Sequence, residues 1–188
     1  MPEVVDGDDL VLLNQPISIY GASKVAEEAL LSVYAHSHGF TTWTFRFANV
    51  VGPRLQSGQV MVDFIEKLEA NPERLAVLGD GQQRKSYLHI SDCLDAMTRV
   101  IQTTEEPVNV YNLGTDSATS VDEIARIVAE EMAVDPALDH TGGDRGWVGD
   151  VPRMQLDVSK LEALGWEAEL GSTQAVRRAT RELLEERG

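Results

Sequence analysis

The sequence has little cysteine, little lysine and no long apolar run. Its single cysteine, Cys93, excludes an internal disulfide, which is typical of proteins from reducing compartments. No apolar run approaches the ~20 residues of a membrane-spanning helix. The acidic residues 1–9 lack the basic stretch and the apolar core of a secretory signal. We therefore expect a cytoplasmic protein without a membrane partner.

Positive charge is also scarce. The chain has 16 Lys and Arg against 31 Asp and Glu, which gives a formal net charge of -15 and a pI near 4.5. Such a charge repels phosphate backbones and argues against nucleic acid as a partner. Only four of the basic residues are lysines, and acid-rich, lysine-poor surfaces suit concentrated salt, where cations screen the self-repulsion. The alternative is the ordinary acidity of many bacterial enzymes.

Apolar periodicity alternates between helix and strand patterns along a chain of ordinary globular composition. Helices are predicted over 18–38, 60–70, 91–103, 120–132 and 172–186, with a short one ending at 165. Strands are predicted over 41–50, 75–78, 87–90 and 108–113, and loops over 1–16 and 135–153. A helix that leads into a strand through a short turn is half of a parallel α/β unit, so we predict an α/β fold.

The sequence does not contain the opening of a dinucleotide-binding fold. That fold begins with a strand, a Gly-rich turn and a helix, and no segment here has this arrangement. The turn Gly79-Asp80-Gly81 precedes polar residues instead of a helix, so we do not expect it to bind a cofactor phosphate.

Tyr20 and Lys24 lie four residues apart on a predicted helix and therefore share one face. A free tyrosine has a pKa of about 10 and is a poor base, but a nearby cation favours the phenolate. Such a tyrosine can take a proton from a hydroxyl group whose carbon loses a hydride. The spacing by itself is weak evidence, because Tyr and Lys fall four apart by chance in many helices, and it favours a helix start that carries a surface lysine.

Five segments in chain order resemble motifs of the extended short-chain dehydrogenases/reductases. They are the helix start at 16–27, the strand and turn at 46–54, the stretch 78–92, the strand end at 111–114 and the motif Leu164-Gly165-Trp166. Within that family the sequence is most similar to archaeal-type UDP-glucose 4-epimerases. The segments that carry this closer similarity are 45–49, 84–87 and 142–147.

This resemblance implies the C-terminal half of a Rossmann-like fold plus a small mixed α/β substrate-binding lobe, with the N-terminal dinucleotide-binding strands absent. Residues 1–52 together with 87–115 would form the Rossmann-like part. Residues 53–86 together with 116–188 would form the substrate-binding lobe. The implied reaction uses a bound NAD, which takes a hydride from the sugar C4 while a tyrosine takes the hydroxyl proton. Hydride and proton then return to the opposite face of the 4-keto sugar.

The resemblance also implies roles for individual residues. Tyr20 would be the base and Lys24 its electrostatic partner, and both would bind the cofactor together with Ala48 and Val51. The implied substrate residues are Asn49 at the diphosphate, Val60 and Met61 at the uridine, Lys85 and Tyr87 at the sugar nucleotide, and Arg145 and Asp150 at the pyrophosphate and a ribose hydroxyl. Arginine suits that task because its fork binds phosphate oxygens bidentately. No metal site is expected.

Some positions depart from the family pattern. Lys85-Ser86-Tyr87 stands where many relatives have Arg-Asp-Phe, and Arg145 and Asp150 are five residues apart where a spacing of three is common. The strand that carries a catalytic Ser or Thr before the tyrosine is not found upstream of Tyr20. We therefore expect that this chain alone neither binds NAD nor catalyses epimerisation. It would form a homodimer or associate with the missing N-terminal half.

Two other functions remain open at this point. The first is a nucleotide-sugar 4,6-dehydratase or reductase of the same family, because the acid pair that a dehydratase needs would lie just upstream of the tyrosine. The second is a non-catalytic module that binds a nucleotide sugar.

We predict that the protein is more stable in molar salt than in dilute buffer, because a charge of -15 repels itself and added ions screen the repulsion. The measurement is the melting temperature in a KCl series at constant pH. A melting temperature that stays flat or falls towards molar KCl would contradict salt adaptation.

Overall fold

The computed structural model describes residues 4–5, 18–146 and 151–187. In these residues the chain forms six helices: α1 Ile19–His38, α2 Val60–Ala70, α3 Ile90–Thr103, α4 Val121–Glu131, α5 Ser159–Glu162 and α6 Ser172–Arg187. The strands are β1 Val4–Val5, β2 Thr42–Phe47, β3 Asn49–Val51, β4 Arg74–Val77, β5 Arg84–Lys85, β6 Tyr87–His89, β7 Val108–Leu113, β8 Thr119–Ser120, β9 Ala137–His140 and β10 Arg153–Leu156. The predicted α/β organisation is confirmed.

Helix α1 has clear start and stop signals. The Ser18 side chain accepts a hydrogen bond from the Gly21 N–H at 3.0 Å, which satisfies one of the free N–H groups of the first turn. Gly39 ends the helix in the left-handed region at φ 69°, and its N–H bonds the Ala35 carbonyl. Ala35 is the one buried residue of α1 among the described residues, so most of this helix is open to solvent. None of the described helices is both long and apolar enough to cross a membrane.

The predicted strand 41–50 is in fact two strands with different partners. Strand β2 pairs in parallel with β7 along its whole length, whereas β3 pairs in parallel with β6. Ala48 lies between them, and its N–H donates to the Leu113 carbonyl at 2.8 Å. Ala48 is 6% exposed and faces Gly114, where an added Cβ would lie 3.3 Å from the Ala48 Cβ. Two small residues therefore let the chain pass between the two strand pairs.

The prediction of loops over 135–153 and 1–16 was wrong in part. Strand β9 pairs in parallel with β4, from Arg74↔Ala137 to Val77↔His140. Strand β10 pairs in parallel with both β1 and β5. These strands are short, and only partly buried where the structure describes their side chains, so their formation depends on neighbours that are distant in sequence.

Buried side chains form two clusters. The larger one joins α2, α4 and α6 to β4, and its fully enclosed members include Met61, Phe64, Ile65, Leu68, Leu75 and Ile124. The smaller one joins α3 to β7 and β6 and includes Leu88, Ala96, Val100, Leu113, Leu161 and Trp166. The candidate site lies where the chain runs from one cluster to the other, along β3, β5 and β6.

Helices α4 and α6 are held together by ion pairs around Glu131. Its carboxylate contacts Arg177 and Arg181, each at 2.7 Å, and its side chain is only 14% exposed. The hydrogen bonds from Arg181 and then Arg177 hold the pKa of the Glu131 carboxyl below its ordinary value, although desolvation opposes them. The ionised form of Glu131 is therefore more favourable in the folded chain than in the unfolded chain, so its charge stabilises the fold.

We predict that Glu131→Gln lowers the melting temperature at pH 7, with a loss of about 1 kcal/mol in the free energy of unfolding. Because the folded pKa of Glu131 lies below the unfolded one, its stabilisation is full above the unfolded value of 4.5 and is lost as the pH falls through the folded pKa. The melting-temperature difference between wild type and variant should therefore shrink in acid.

The control for this prediction is Glu130→Gln. It removes a carboxylate that is 60% exposed and contacts Arg177 alone, so its effect should be smaller. A difference for Glu131→Gln that is independent of pH would contradict the ion-pair explanation.

Candidate active site

A cavity of about 400 Å³ opens between α2, the β5–β6 segment and the Gly-rich segment 141–146. It is lined by residues from five stretches of the chain: Asn49, Gly58, Gln59, Val60, Asp63, Phe64, Leu78, Gln83, Lys85, Tyr87, Val121 and Gly146. Four of the predicted substrate residues, Asn49, Val60, Lys85 and Tyr87, are among them. The structure therefore brings these four residues together although Asn49 and Tyr87 are 38 positions apart in sequence.

Strand pairing fixes the position of Asn49. Asn49 stands opposite Tyr87 in the β3–β6 register, and its side-chain Nδ2 donates to the Ser86 carbonyl at 3.2 Å. Ser86 is fully buried and bonds the Thr115 carbonyl through its hydroxyl group at 3.2 Å. The serine that stands at the usual aspartate position of the family motif is therefore an internal link between this strand and the turn after β7.

Alternate residues of one strand segment form a wall of the cavity. Gln83, Lys85 and Tyr87 all line it, as expected for side chains that share one face of an extended chain. Gln83 and Tyr87 are 3% and 6% exposed, whereas Lys85 is half-buried. The wall thus carries a cationic group between a buried amide and a buried phenol.

The Gly-rich segment 141–146 is fastened to the turn after β4 by main-chain hydrogen bonds. The Gly142 N–H donates to the Gly79 carbonyl at 2.9 Å, and the Gly79 N–H donates to the Thr141 hydroxyl at 2.8 Å. Gly142 adopts φ 80°, which a residue with a side chain rarely adopts. These bonds fix the start of the segment that carries Arg145.

Arg145 is exposed and directly precedes Gly146, which lines the cavity. Within the described residues Arg145 makes neither an ion pair nor a hydrogen bond, although the chain has 31 acidic residues. An arginine without an acidic partner beside a cavity is available to an anionic ligand. Asp150, which the resemblance paired with Arg145, lies outside the described residues.

Helix α2 separates the two residues predicted at the uridine. Val60 lines the cavity, but Met61 is 1% exposed and packs in the larger core cluster. The Thr180 hydroxyl group lies 3.7 Å from the Met61 sulfur. Asp63 and Phe64, one turn after Val60, line the cavity instead of Met61. Helical spacing from Val60 gives the signal for these two, because residues three and four apart share a face.

Tyr20 and Lys24 lie on the exposed side of α1. Tyr20 is 73% exposed, and the Lys24 Nζ lies 5.7 Å from the centre of its ring. The Lys24 Nζ also bonds the Glu27 carboxylate at 2.8 Å. The hydrogen bond to Glu27, followed by its charge and a smaller contribution from Tyr20, raises the pKa of Lys24 above its ordinary value. The expected proximity of the cation to the phenol ring is present.

An ion pair anchors α1 to the strand that leads into the cavity. The Arg46 guanidinium contacts both carboxylate oxygens of Glu28, at 3.1 and 2.8 Å, and the two side chains are only 17% and 20% exposed. Such a bidentate pair fixes orientation as well as distance. Arg46 is three residues before Asn49, which lines the cavity. The ion pair therefore links the helix that carries Tyr20 to the strand that leads to the cavity.

The residues predicted at the nicotinamide, Ala48 and Val51, are 6% and 4% exposed. Ala48 lies at the passage between the strand pairs, and Val51 belongs to the larger core cluster. Neither lines the cavity. The sequence analysis missed the cavity residues Gln59, Asp63, Phe64, Leu78, Gln83 and Val121. In the described residues no group of three His, Cys, Asp or Glu side chains could hold a metal ion.

Residues 3–114 match the model of the NAD dependent epimerase/dehydratase family. The putative UDP-glucose 4-epimerase of Methanocaldococcus jannaschii is 29% identical over 167 residues, which covers 87% of this chain and 52% of that protein. The dTDP-D-glucose 4,6-dehydratase of Mus musculus is 30% identical over 156 residues, which covers 81% of this chain and 43% of that protein. The chain thus spans about half the length of the curated relatives it matches.

Solved structures of nucleotide-sugar enzymes also match this chain over part of their own length. A crystal structure of UDP-galactose 4-epimerase superposes with a TM-score of 0.81 at 38% identity, covering 98% of this chain and 62% of that one. MoeE5 in complex with UDP-glucose and NAD superposes with a TM-score of 0.83 at 26% identity, covering 98% of this chain and 60% of that one. The likeness confirms an α/β fold similar to part of these Rossmann-like enzymes.

Proposed function

The chain belongs to the NAD-dependent epimerase/dehydratase family, and on that basis we propose that it forms the substrate-binding and catalytic part of a UDP-sugar 4-epimerase. The family resemblance predicted from the motifs is confirmed, and the enzymes of this family use NAD. The choice of a UDP-sugar epimerase is supported by the 38% identity to a UDP-galactose 4-epimerase over nearly the whole chain.

One observation carries the proposal: a single cavity is lined by Asn49, Val60, Lys85 and Tyr87, with Gly146 next to Arg145 at its edge. An amide, an ammonium group and a guanidinium group beside apolar side chains suit a ligand with a diphosphate between two less charged ends. In a chain of net charge -15, Lys85 and the neighbouring Arg145 supply positive charge at the cavity, and the one carboxylate in its lining, Asp63, is paired with Lys67 at 2.7 Å.

In the proposed reaction Tyr20 takes the proton of the sugar C4 hydroxyl and later returns it. Lys24 stabilises the phenolate form through its charge, since an opposite charge favours the ionised state. NAD, when bound, would accept the C4 hydride and give it back to the opposite face of the sugar. The Glu28–Arg46 ion pair keeps α1 in place relative to Asn49 during both proton transfers.

The residues of α1 suit the nicotinamide end of this cofactor. Tyr20 and Lys24 are exposed, with Lys24 paired to Glu27. Ala48 and Val51, on either side of Asn49-Val50, are buried and therefore support the strand segment from within. In the described ranges no Gly-x-Gly-x-x-Gly turn opens a helix, so we assign the adenosine end of NAD to a partner structure.

The exposed face of α1 supports such a partner. Ile19, Leu30, Val33 and Tyr34 are 92%, 58%, 59% and 52% exposed, which forms an apolar surface of the kind that marks interaction sites. We propose that a dinucleotide-binding α/β half, or a second copy of the chain, covers this face.

A 4,6-dehydratase is the second candidate, because a dTDP-D-glucose 4,6-dehydratase is 30% identical over 81% of the chain. The products distinguish the two reactions. An epimerase converts UDP-glucose into UDP-galactose of unchanged mass, whereas a dehydratase releases water and leaves a 4-keto-6-deoxy sugar. Binding of UDP without turnover, even with a dinucleotide-binding half present, would favour the non-catalytic module.

We predict that Arg145→Ala weakens UDP binding by about 1.5–3 kcal/mol, the usual range for a hydrogen bond to a charged group. The measurement is calorimetry of the 188-residue chain with UDP. Arg126→Ala is the matched control, because it removes the same charge from an exposed position that does not line the cavity. Equal affinities of the Arg145→Ala variant and the wild type would remove Arg145 from the site.

We predict that Tyr20→Phe lowers turnover by about 10²–10⁴, as is typical for loss of a positioned acid/base, and leaves UDP affinity nearly unchanged. The assay is UDP-galactose conversion by the chain together with a dinucleotide-binding half. Tyr111→Phe is the control, because Tyr111 lies on β7 and does not line the cavity, and it should leave turnover unchanged. Turnover within about threefold of wild type would exclude Tyr20 as the base.

A further inference from the structure

Asp122 is a carboxylate that joins three separate parts of the chain beside the cavity. It lies in the first turn of α4, directly after Val121, which lines the cavity. Its Oδ1 accepts from the His140 Nε2 at 2.7 Å, and its Oδ2 accepts from the Gln82 Nε2 at 3.3 Å. The side chain of Asp122 is only 12% exposed. The carboxylate therefore links the start of α4 to the end of β9 and to the turn after β4.

Gly81 leaves the space in which this link forms. It adopts φ 77°, and its carbonyl accepts from the Asp122 N–H at 3.0 Å. A Cβ added to Gly81 would overlap the Asp122 carboxylate and would lie 2.8 Å from the His140 Nε2. Any side chain at this position would therefore displace both partners, besides straining the backbone. The main chain and the side chain of Asp122 thus hold the same turn.

His140 connects this link to the Gly-rich segment. It is the last residue of β9, and the segment 141–146 follows at once. That segment carries Arg145 and ends at Gly146, which lines the cavity. A segment that is fixed at its start before a ligand arrives loses less conformational entropy on binding, and this raises affinity. Asp122 therefore acts on the ligand through His140, without lining the cavity itself.

Other charged groups lie on the elements that pack against His140. They are Arg74 on β4, Asp80 in the turn after it, Asp139 on β9, and Asp122, Glu123 and Arg126 on α4. Asp139 pairs with Arg74 at 2.8 Å, and Glu123 accepts from the Ser120 N–H at 2.7 Å. In the described ranges Asp122 is the carboxylate that forms an ion pair with His140.

The strength of this pair depends on pH. Histidine is the side chain that ordinarily changes its charge near neutral pH, and the His140 side chain is 33% exposed, so it exchanges protons with solvent. A protonated imidazole forms an ion pair with the Asp122 carboxylate. A neutral imidazole keeps the hydrogen bond but loses the charge on the donor, which weakens the bond. The link is therefore firmer in mild acid than in mild base.

We propose that Asp122 is a positioning residue that acts through His140 and holds the Gly-rich segment in place for the diphosphate of the ligand. The inference rests on the proposed UDP-sugar site and adds a dependence of its affinity on the protonation of His140. Affinity falls as the pH rises, because the neutral imidazole leaves more of the ordering of the segment to be completed on binding.

The first experiment measures UDP-glucose binding to the 188-residue chain by calorimetry at about pH 5.5 and about pH 8, on either side of the range in which histidine titrates. UDP-glucose is the probe because its diphosphate is esterified at both ends and keeps its charge over this range. We expect the wild type to bind about threefold to tenfold more tightly at the lower pH. Asp122→Asn and His140→Gln should change by less than about twofold between the two pH values.

His38→Gln is the matched control for these variants. His38 is an exposed histidine on α1 that does not line the cavity, so its loss should leave the pH dependence of the wild type intact. The melting temperature of each variant reports whether it folds. A residue that served the fold alone would change the melting temperature without removing the pH dependence of affinity.

The second experiment needs no ligand. It compares the protection of amides from hydrogen exchange in wild type and Asp122→Asn at about pH 5.5, where histidine is mostly protonated. We expect protection over residues 141–146 to fall by about threefold or more in the variant, because the link to His140 has lost its ion pair. The amides of α6 serve as the internal reference and should keep their protection.

Three results would overturn the inference. The first is a wild-type affinity that is the same at both pH values, and the second is a pH dependence that persists in folded His140→Gln. The third is equal protection of residues 141–146 in Asp122→Asn and in the wild type. A wild type that binds no UDP-glucose at either pH would instead refute the proposed function, and hydrogen exchange would then decide on the positioning role alone.

Discussion

The hydrogen bond from the Ala48 N–H to the Leu113 carbonyl determines where the chain leaves one parallel strand pair and enters the next. One residue earlier the chain pairs with β7, and one residue later it pairs with β6. The change of partner brings Asn49 beside Tyr87, and so beside the whole wall of alternate residues. A larger side chain at Ala48 or at Gly114 would separate the two pairs, because a Cβ on Gly114 already comes within 3.3 Å of Ala48.

The arginines around these strands are of two kinds, those that pair with a carboxylate and those that do not. Most arginines are committed to carboxylates, as Arg46 is to Glu28 and Arg181 to Glu131, and these pairs join helices to strands or to one another. Within the described ranges Arg145 has no acidic partner, and neither do Arg99, Arg126 and Arg153. Arg145 directly precedes Gly146, which lines the cavity. Its place beside the cavity, and not the lack of an ion pair by itself, is what makes Arg145 a candidate for an anionic ligand.

The sequence predicted the long helices well because their signals are local. Ser18, Gly39 and the Ser120–Glu123 capping box mark ends that the structure confirms. Strands β9 and β10 could not be predicted in this way, since residues such as Leu138 form a strand only when a distant partner supplies the pairing. The same holds for the site. Asn49, Lys85 and Tyr87 lie within motifs, whereas Asp63 and Val121 line the cavity only because the fold places the starts of α2 and α4 beside it.

Hydrogen bonds link the Gly-rich segment and the turn after β4 into one unit, because Thr141 and Gly142 bond the N–H and the carbonyl of Gly79. The side chain of Gln83 rests on the same turn, and Arg145 follows three residues after Gly142. A ligand that orders this backbone at one of its two parts therefore orders the other part as well, and the loss of conformational entropy is incurred only once. Two groups of one ligand that contact both parts should thus bind as a chelate, with a joint affinity well above what the same groups achieve as separate molecules.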